Sequence, residues 1–289
     1  MKTLDVEKHA SAIDSPDGLP IRYDLYVPKN VRSVKPILFL HGFKGFKDWG
    51  LFPAFCRDLA SAGFAVIAFN FSHNGTDDSL TELNQMDLFR RQTLSQNLDE
   101  VGHVIAALDR GEIGVDGCRI DSSHIGIIGH SRGGTTAVAA TAEYREIGTL
   151  VTWSAVSDFR QYWPDELKSQ WEKQGVAWIK NARTGADMPL DEIVYRDTVE
   201  NSSRINASTR ITEVYAPALF VHGSGDEAVS SSHSRQLWHR CASDEKEIKI
   251  IDGAGHTFGV SHPPETQDYP EHFEQVADAT ISWFLHYHS

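Results

Sequence analysis

Apolar positions along the chain change period several times, and each change predicts an element. The runs Pro36-Ile37-Leu38-Phe39-Leu40 and Phe64-Ala65-Val66-Ile67-Ala68-Phe69 are continuously apolar. That is the mark of short strands buried on both faces. Residues 4–13 and 19–27 read as two strands joined by the turn Ser15-Pro16-Asp17-Gly18. The second alternates apolar and polar side chains toward Val27, which suits a half-exposed antiparallel edge. Helical spacing shows at Phe55, Leu59 and Ala62 within 52–62, closed by Gly63. It returns over 92–110, where Leu94, Leu98, Val101, Ile105 and Leu108 are spaced by four, three, four and three. A strand through Ile125, Ile127 and Ile128, a small-residue helix over 135–142 and strands over 150–153 and 216–221 follow. A helix over 232–242, a strand over 247–251 and a final helix over 271–287 close the chain. This alternation predicts an α/β fold with a mostly parallel central sheet and helices on both faces. In such sheets ligands gather at the carboxyl ends of the strands.

One stretch breaks the alternation. Residues 156–212 carry Tyr162, Trp163, Trp171 and Trp178 and show helical spacing over 165–180. A structureless loop of that length inside a compact domain is improbable, so the segment reads as a small inserted helical cap or lid. Residues 1–155 and 213–289 then form the core. Aromatics of this kind more often pack than bind, although Trp163 and Trp178 are candidates for substrate contact.

Composition narrows the picture modestly. With 40% hydrophobic and 23% charged residues, the 289-residue chain is of ordinary globular type. A formal net charge of −13 argues against a nucleic-acid or anionic-membrane partner. The beginning of the chain lacks the apolar region of a secretory signal, and no run approaches the ~18 apolar residues of a spanning helix. A cytoplasmic protein is expected. The three cysteines are widely separated and have no C-x-x-C spacing, so neither disulfides nor a zinc site is predicted. The 14 histidines form no H-E-x-x-H or comparable cluster, and no metal is expected; His286 and His288 read as an exposed tail.

Three predicted strands end in conspicuous loops: His41-Gly42-Phe43, Gly129-His130-Ser131-Arg132-Gly133 and Gly223-Ser224-Gly225-Asp226. The second is a G-x-S-x-G pattern between a strand and a helix, a sharp turn whose apex residue projects outward in a strained conformation. Ser131 is therefore a candidate nucleophile. A serine hydroxyl needs a base, normally a histidine oriented by a carboxylate. In the order serine, acid, histidine the chain offers Ser131, Asp226 and His256, the last in Gly253-Ala254-Gly255-His256. Asp226 could instead cap the following helix, and Asp158 is a second candidate acid. His233 and His262 rival His256 but lack bracketing glycines, while His41 and His222 read as braces of their own loops and His130 as packing beside the elbow.

These four loops, in this order, resemble those of the α/β-hydrolase family. The His-Gly-Phe start and the mid-chain insertion are similar to cinnamoyl or feruloyl esterase-like and dienelactone-hydrolase-like members. The resemblance implies an oxyanion hole made by the backbone N–H groups of Phe43 and Arg132. It also implies a serine hydrolase that acts on a small-molecule ester without a cofactor. The same triad serves acyl-peptide or proline-type peptidases and C–C or thioester hydrolases, and a non-catalytic ligand-binding protein on the same fold is the alternative of another class. The Arg132 side chain could hold a substrate carboxylate, but an internal salt bridge is the more common use. Lys44 and Lys47 read as surface charges that could instead meet an acidic substrate, with Lys44 a candidate substrate contact. Asn74 with Gly75 is a candidate pocket residue or simply turn chemistry.

Overall fold

The computed structural model describes residues 4–79, 81–181 and 184–288. In chain order its strands are β1 (Val6–Asp14), β2 (Pro20–Pro28), β3 (Ser33–Val34), β4 (Pro36–Leu40), β5 (Ala65–Phe69), β6 (Arg119–Ile120), β7 (Ile125–His130), β8 (Ile147–Trp153), β9 (Val176–Lys180), β10 (Asp187–Asp191), β11 (Ala218–Gly223) and β12 (Lys246–Ile251). The helices are α1 (Phe52–Ser61), α2 (Met86–Phe89), α3 (Leu94–Asp109), α4 (Arg132–Glu143), α5 (Phe159–Tyr162), α6 (Asp165–Gln174), α7 (Glu192–Glu200), α8 (Ser202–Ile205), α9 (Ala207–Arg210), α10 (Ser232–Arg240) and α11 (Glu271–Tyr287).

Among the described residues, eight strands form the main sheet in the order β1-β2-β5-β4-β7-β8-β11-β12. From β5 to β12 every pairing is parallel, and β2 joins β1 and β5 antiparallel. The continuously apolar strands β4 and β5 are buried throughout, as two-sided coverage requires. Helices α3 and α4 pack Leu98, Val101, Val104 and Val138 on one face. Helices α1 and α11 pack Phe55, Leu59, Phe273 and Phe284 on the other. Trp153 sits on the second face with its ring edge-on to Phe39 and Phe55, and its indole N–H donates to Thr280 Oγ1 at 3.0 Å. Aromatic pairs of this geometry add about 0.5–1.5 kcal/mol beyond the area they bury.

Three expectations need correction. The strand over 19–27 is not an edge: β1 covers it, and Tyr23 through Pro28 are buried. Its polar position Asp24 is buried because the Lys47 ammonium meets it at 2.6 Å, so a polar residue there did not mean a solvated one. His288 is no exposed tail; it is fully buried, with its Nε2 donating to the Pro36 carbonyl at 3.1 Å and its ring stacked on His124. Burial holds its pKa down, at about 4.

Nor is the segment between β8 and β11 wholly helical. Helix α6 stops at Gly175, whose φ of 70° is the left-handed C-terminal stop that glycine favours. The chain then enters β9, which pairs antiparallel with β10 in a hairpin outside the main sheet. No helix among the described residues is long and apolar enough to cross a membrane.

Candidate active site

Strand β7 ends at His130 and α4 begins at Arg132, leaving Ser131 alone at the turn with φ 55° and ψ −117°. A non-glycine residue there is strained, by roughly 1–3 kcal/mol, and must be held by its surroundings. The Ser131 N–H donates to the Trp153 carbonyl at 2.8 Å, and the Ser131 carbonyl accepts from Gly134 N–H at 3.0 Å. Strand and helix approach so closely that a Cβ on Gly129 would lie 2.2 Å from the Gly133 carbonyl oxygen. Only glycine fits.

The histidine loop follows β12 and lies directly against the end of β11. A Cβ on Gly223 would come within 2.1 Å of the Ala254 carbonyl oxygen, so backbone rests on backbone where the acid and histidine loops meet. His256 Nε2 is 3.0 Å from Ser131 Oγ, and His256 Nδ1 is 2.8 Å from Asp226 Oδ2. His130 steadies this loop by donating from Nε2 to the His256 carbonyl at 3.0 Å. Burial and the neighbouring His256 imidazole lower the His130 pKa to about 3, so it stays neutral.

Asp226 Oδ1 accepts the Ala228 and Val229 amides at 3.0 and 2.9 Å, while Oδ2 lies 2.8 Å from His256 Nδ1 and 3.2 Å from His222 Nε2. Burial alone would raise its pKa. The hydrogen bonds from His222, His256 and the Val229 amide outweigh that and hold it far below the usual carboxylate range. It does not cap a helix, because α10 starts only at Ser232.

The rival residues are engaged elsewhere. Asp158 accepts the Arg160 amide, capping α5, and pairs with the Arg160 guanidinium at 2.6 Å. His233 Nδ1 lies 2.8 Å from Ser157 Oγ, and His262 Nδ1 accepts the Gly50 amide at 3.0 Å. His41 braces its loop with Nδ1 2.8 Å from the Gly42 carbonyl, and burial lowers its pKa to about 4.

The loop after β4 lies against the nucleophile: a Cβ on Gly42 would be 3.0 Å from Ser131 Cβ. Among the described residues, neither the Phe43 nor the Arg132 amide donates a hydrogen bond. The Phe43 ring stacks on Phe89 at 5.2 Å and meets Trp163 edge-on at 6.2 Å.

The Arg132 guanidinium departs from expectation, since among the described residues it forms no ion pair. It is buried, donates from Nη2 to the Gln92 carbonyl at 2.6 Å, and lies 5.3 Å from the Phe43 ring centroid. The carboxylate whose charge acts on it, Asp197, instead accepts the Leu94 and Ser95 amides at 2.9 and 3.1 Å at the start of α3. Burial lowers the Arg132 pKa to about 10, which leaves it a cation at neutral pH.

Lys47 is likewise not a surface charge but the buried partner of Asp24, and its amide donates to Asn70 Oδ1 at 2.7 Å. Lys44 sits at φ 59° and donates from Nζ to the Lys180 carbonyl at 3.3 Å, linking the β4 loop to the hairpin. Asn74 is buried in its own turn, accepting from the Thr76 amide at 3.1 Å. Trp163 is buried, whereas Trp178 is 48% exposed on β9. Among the described residues, no hydrogen bond or ring contact joins Asn74 or Trp178 to Ser131, His256 or Asp226. A cleft of about 520 Å³ opens between the hairpin and residues 81–86, with Leu83, Met86, Met188 and His262 in its walls. The three aligned side chains are not part of those walls.

Sequence reasoning missed the approach of His222 to Asp226. The spacing of four residues was visible, but a strand end followed by a turn gives no periodicity from which to read side-chain direction.

A model of the alpha/beta hydrolase family matches residues 37–268. No curated protein matches the chain in sequence. Among solved structures, ferulic acid-bound Est1E from Butyrivibrio proteoclasticus is similar with a TM-score of 0.71 and 22% identity, covering 96% of this chain and 99% of that one. Dienelactone hydrolase from Anabaena variabilis gives 0.63 and 17%, over 98% of both chains. The monoacylglycerol lipase of Paleococcus ferrophilus gives 0.64 and 16%, over 97% of this chain and 99% of the lipase. At these identities the likeness is one of fold.

Proposed function

The chain belongs to the alpha/beta hydrolase family, and from that premise we propose that it is a serine hydrolase cleaving small-molecule carboxylic esters through an acyl-enzyme intermediate. The observation that carries this reading is the alignment of Ser131 Oγ, His256 and Asp226 at 3.0 and 2.8 Å, with the serine held at positive φ. In the proposed reaction Ser131 Oγ attacks the ester carbonyl carbon as His256 Nε2 takes its proton. Asp226 holds the imidazole with Nδ1–H toward the carboxylate and stabilises the imidazolium that forms. The Phe43 and Arg132 amides receive the oxyanion, each such donor being worth about 10²–10³ in rate. Collapse passes the proton from His256 to the departing alkoxide and leaves Ser131 acylated. Water then attacks as His256 takes its proton, and collapse returns that proton from His256 to Ser131 Oγ as the acid is released.

The ester class is supported by the similar structures: one holds ferulic acid, a carboxylic acid, and others are named as a lactone hydrolase and an acylglycerol lipase. We read residues 156–212 as a cap over the opening. The Lys44 link to Lys180 and the Phe43 contact with Trp163 support that reading, because both tie the segment to the loop beside Ser131.

The test is turnover of short p-nitrophenyl esters, with matched amide and thioester substrates alongside. Wild type should hydrolyse the ester fastest and be labelled by a fluorophosphonate at Ser131. Ser131→Ala should fold normally and lose about 10⁴-fold or more of the rate. Equal turnover by Ser131→Ala would overturn the assignment.

A further inference from the structure

We propose that His222 is a positioning residue that clamps the same Asp226 oxygen that meets His256, with Ser234 holding the His222 ring from its other nitrogen. This rests on the proposed triad. His222 and Ser234 are fully buried. His222 Nε2 faces two acceptors, the Val229 carbonyl at 2.8 Å and Asp226 Oδ2 at 3.2 Å. Neither can donate, so Nε2 must carry the hydrogen. His222 Nδ1 lies 2.7 Å from Ser234 Oγ, a hydroxyl able to donate to it. The neutral ring with its proton on Nε2 satisfies every partner. The result is a continuous line from Ser131 Oγ through His256, Asp226 Oδ2 and His222 to Ser234 Oγ, with both histidines on the one carboxylate oxygen.

Two consequences follow from that line. Oδ2 is the oxygen that orients His256, and a donor from β11 restricts its rotation in a way the two amides on Oδ1 do not. The second donor also takes up part of the charge on Oδ2, so the carboxylate stabilises the His256 imidazolium less than it otherwise would. Removing the His222 N–H therefore makes His256 more basic. His256 must be neutral to act as base, so the acid limb of kcat/KM moves to higher pH. The other titratable groups facing this line are His130 from the elbow, His233 from α10 and Tyr162 from the start of the insertion, with Asp158 facing His233. Glu227 on the acid loop is exposed. All of these are unchanged in the variants below.

The experiment compares full-length wild type, His222→Leu, His222→Gln and Ser234→Ala. Three readouts are used: the pH profile of p-nitrophenyl acetate hydrolysis, the pH-dependent rate of fluorophosphonate labelling, and the low-field proton NMR resonance of His256 Nδ1–H. His222→Leu should lose roughly 10- to 100-fold of kcat/KM, move the acid limb upward and shift the resonance. His222→Gln, whose side-chain N–H can replace the donor, should bring the limb back toward wild type. Ser234→Ala should move it in the same direction as His222→Leu but less. A folded His222→Leu or Ser234→Ala with the wild-type limb and resonance overturns the proposal. Should His222→Leu fail to fold, Ser234→Ala and His222→Gln decide it. If wild type neither turns over ester nor labels at Ser131, the serine-hydrolase reading fails, and the His256 resonance alone still decides whether His222 clamps Asp226.

Discussion

The strand-end loops and the segment between β8 and β11 meet at Phe43 and Lys44, yet they are held by different forces. In the loops, backbone rests on backbone: Gly129 on Gly133, Gly133 on the Leu40 and His41 carbonyls, Gly223 on Ala254. In the segment, side chains do the holding. Trp171 stacks on Tyr195 at 5.3 Å, meets Trp163 edge-on at 5.4 Å, and donates its indole N–H to the Leu190 carbonyl at 2.8 Å. Its ties to the sheet domain are side-chain ties too, apolar ones such as Trp163 on Phe43 and polar ones such as Arg204 with Glu143 at 2.7 Å and Arg90 with Asp191 at 2.6 Å. Backbone contact at 2–3 Å tolerates no substituent, whereas side-chain packing tolerates exchange at a modest cost. Loops held by the first can keep their geometry while a segment held by the second changes.

The sharpest way to break that contrast is Gly129→Val. A Cβ would lie 2.2 Å from a backbone oxygen that cannot move without displacing α4, so we expect a loss above about 4 kcal/mol and little soluble folded protein. Circular dichroism and thermal denaturation measure this; a wild-type melting temperature would show that the backbone approach is slack. Trp171→Ala comes next. Losing a buried indole should cost about 3–5 kcal/mol, but the loss should stay local. Hydrogen exchange should accelerate over 159–213 while β4, β7 and β11 keep their protection. One cooperative loss of protection everywhere would mean that the segment and the sheet are a single unit.

The same contrast explains what the sequence disclosed. Continuous apolar runs marked β4, β5 and β7, and the glycines of 129–133 marked the elbow, because both signals are local and obligatory. Ser131, Asp226 and His256 were legible for the same reason, each lying in a glycine-marked loop at a strand end. The hairpin β9–β10 was not: Val176 to Lys180 continues the helical spacing of α6, and only Gly175 interrupts it. Arg132 and Lys47 were misread because their partners, the Gln92 carbonyl and Asp24, come from distant parts of the chain. Long-range pairing leaves no mark on local pattern.

A smaller effect concerns a loop held by a side chain rather than by backbone contact. Glu100 on α3 is buried and accepts hydrogen bonds from the Ser72 amide, at 2.8 Å, and the Ser72 hydroxyl. Burial raises its pKa from 4.5 to about 7, outweighing those bonds. A folded-state value above the unfolded one means stability is lost as pH rises from about 4.5 through 7. The buried His41 and His130, depressed to about 4 and 3, act oppositely, and their contribution is lost as pH falls below 6.5. Glu100→Gln should therefore gain on the order of 1–3 kcal/mol at pH 8 and little at pH 5. Denaturant titration at both values checks it, and an equal change at the two would mean that Glu100 does not titrate on unfolding.

The smallest effect is the most informative about the boundary between the two regions. Trp178 stands half exposed on β9, two residues before the Lys180 carbonyl that receives Lys44. Its backbone N–H is held by Gln170 Oε1 at 3.0 Å, a bond that does not need the indole. Trp178→Ala should therefore change stability by less than about 0.5 kcal/mol. It should also leave the labelling rate of Ser131 by a small fluorophosphonate as it was, since every contact that aligns Ser131, His256 and Asp226 comes from the sheet domain. A lower labelling rate would show that the hairpin reaches the triad through Lys44 and the β4 loop, and the two regions would then have to be treated as one mechanism. An unchanged rate with a raised KM for a bulky aromatic ester would confine the indole to substrate binding, the division of labour that the two kinds of packing imply.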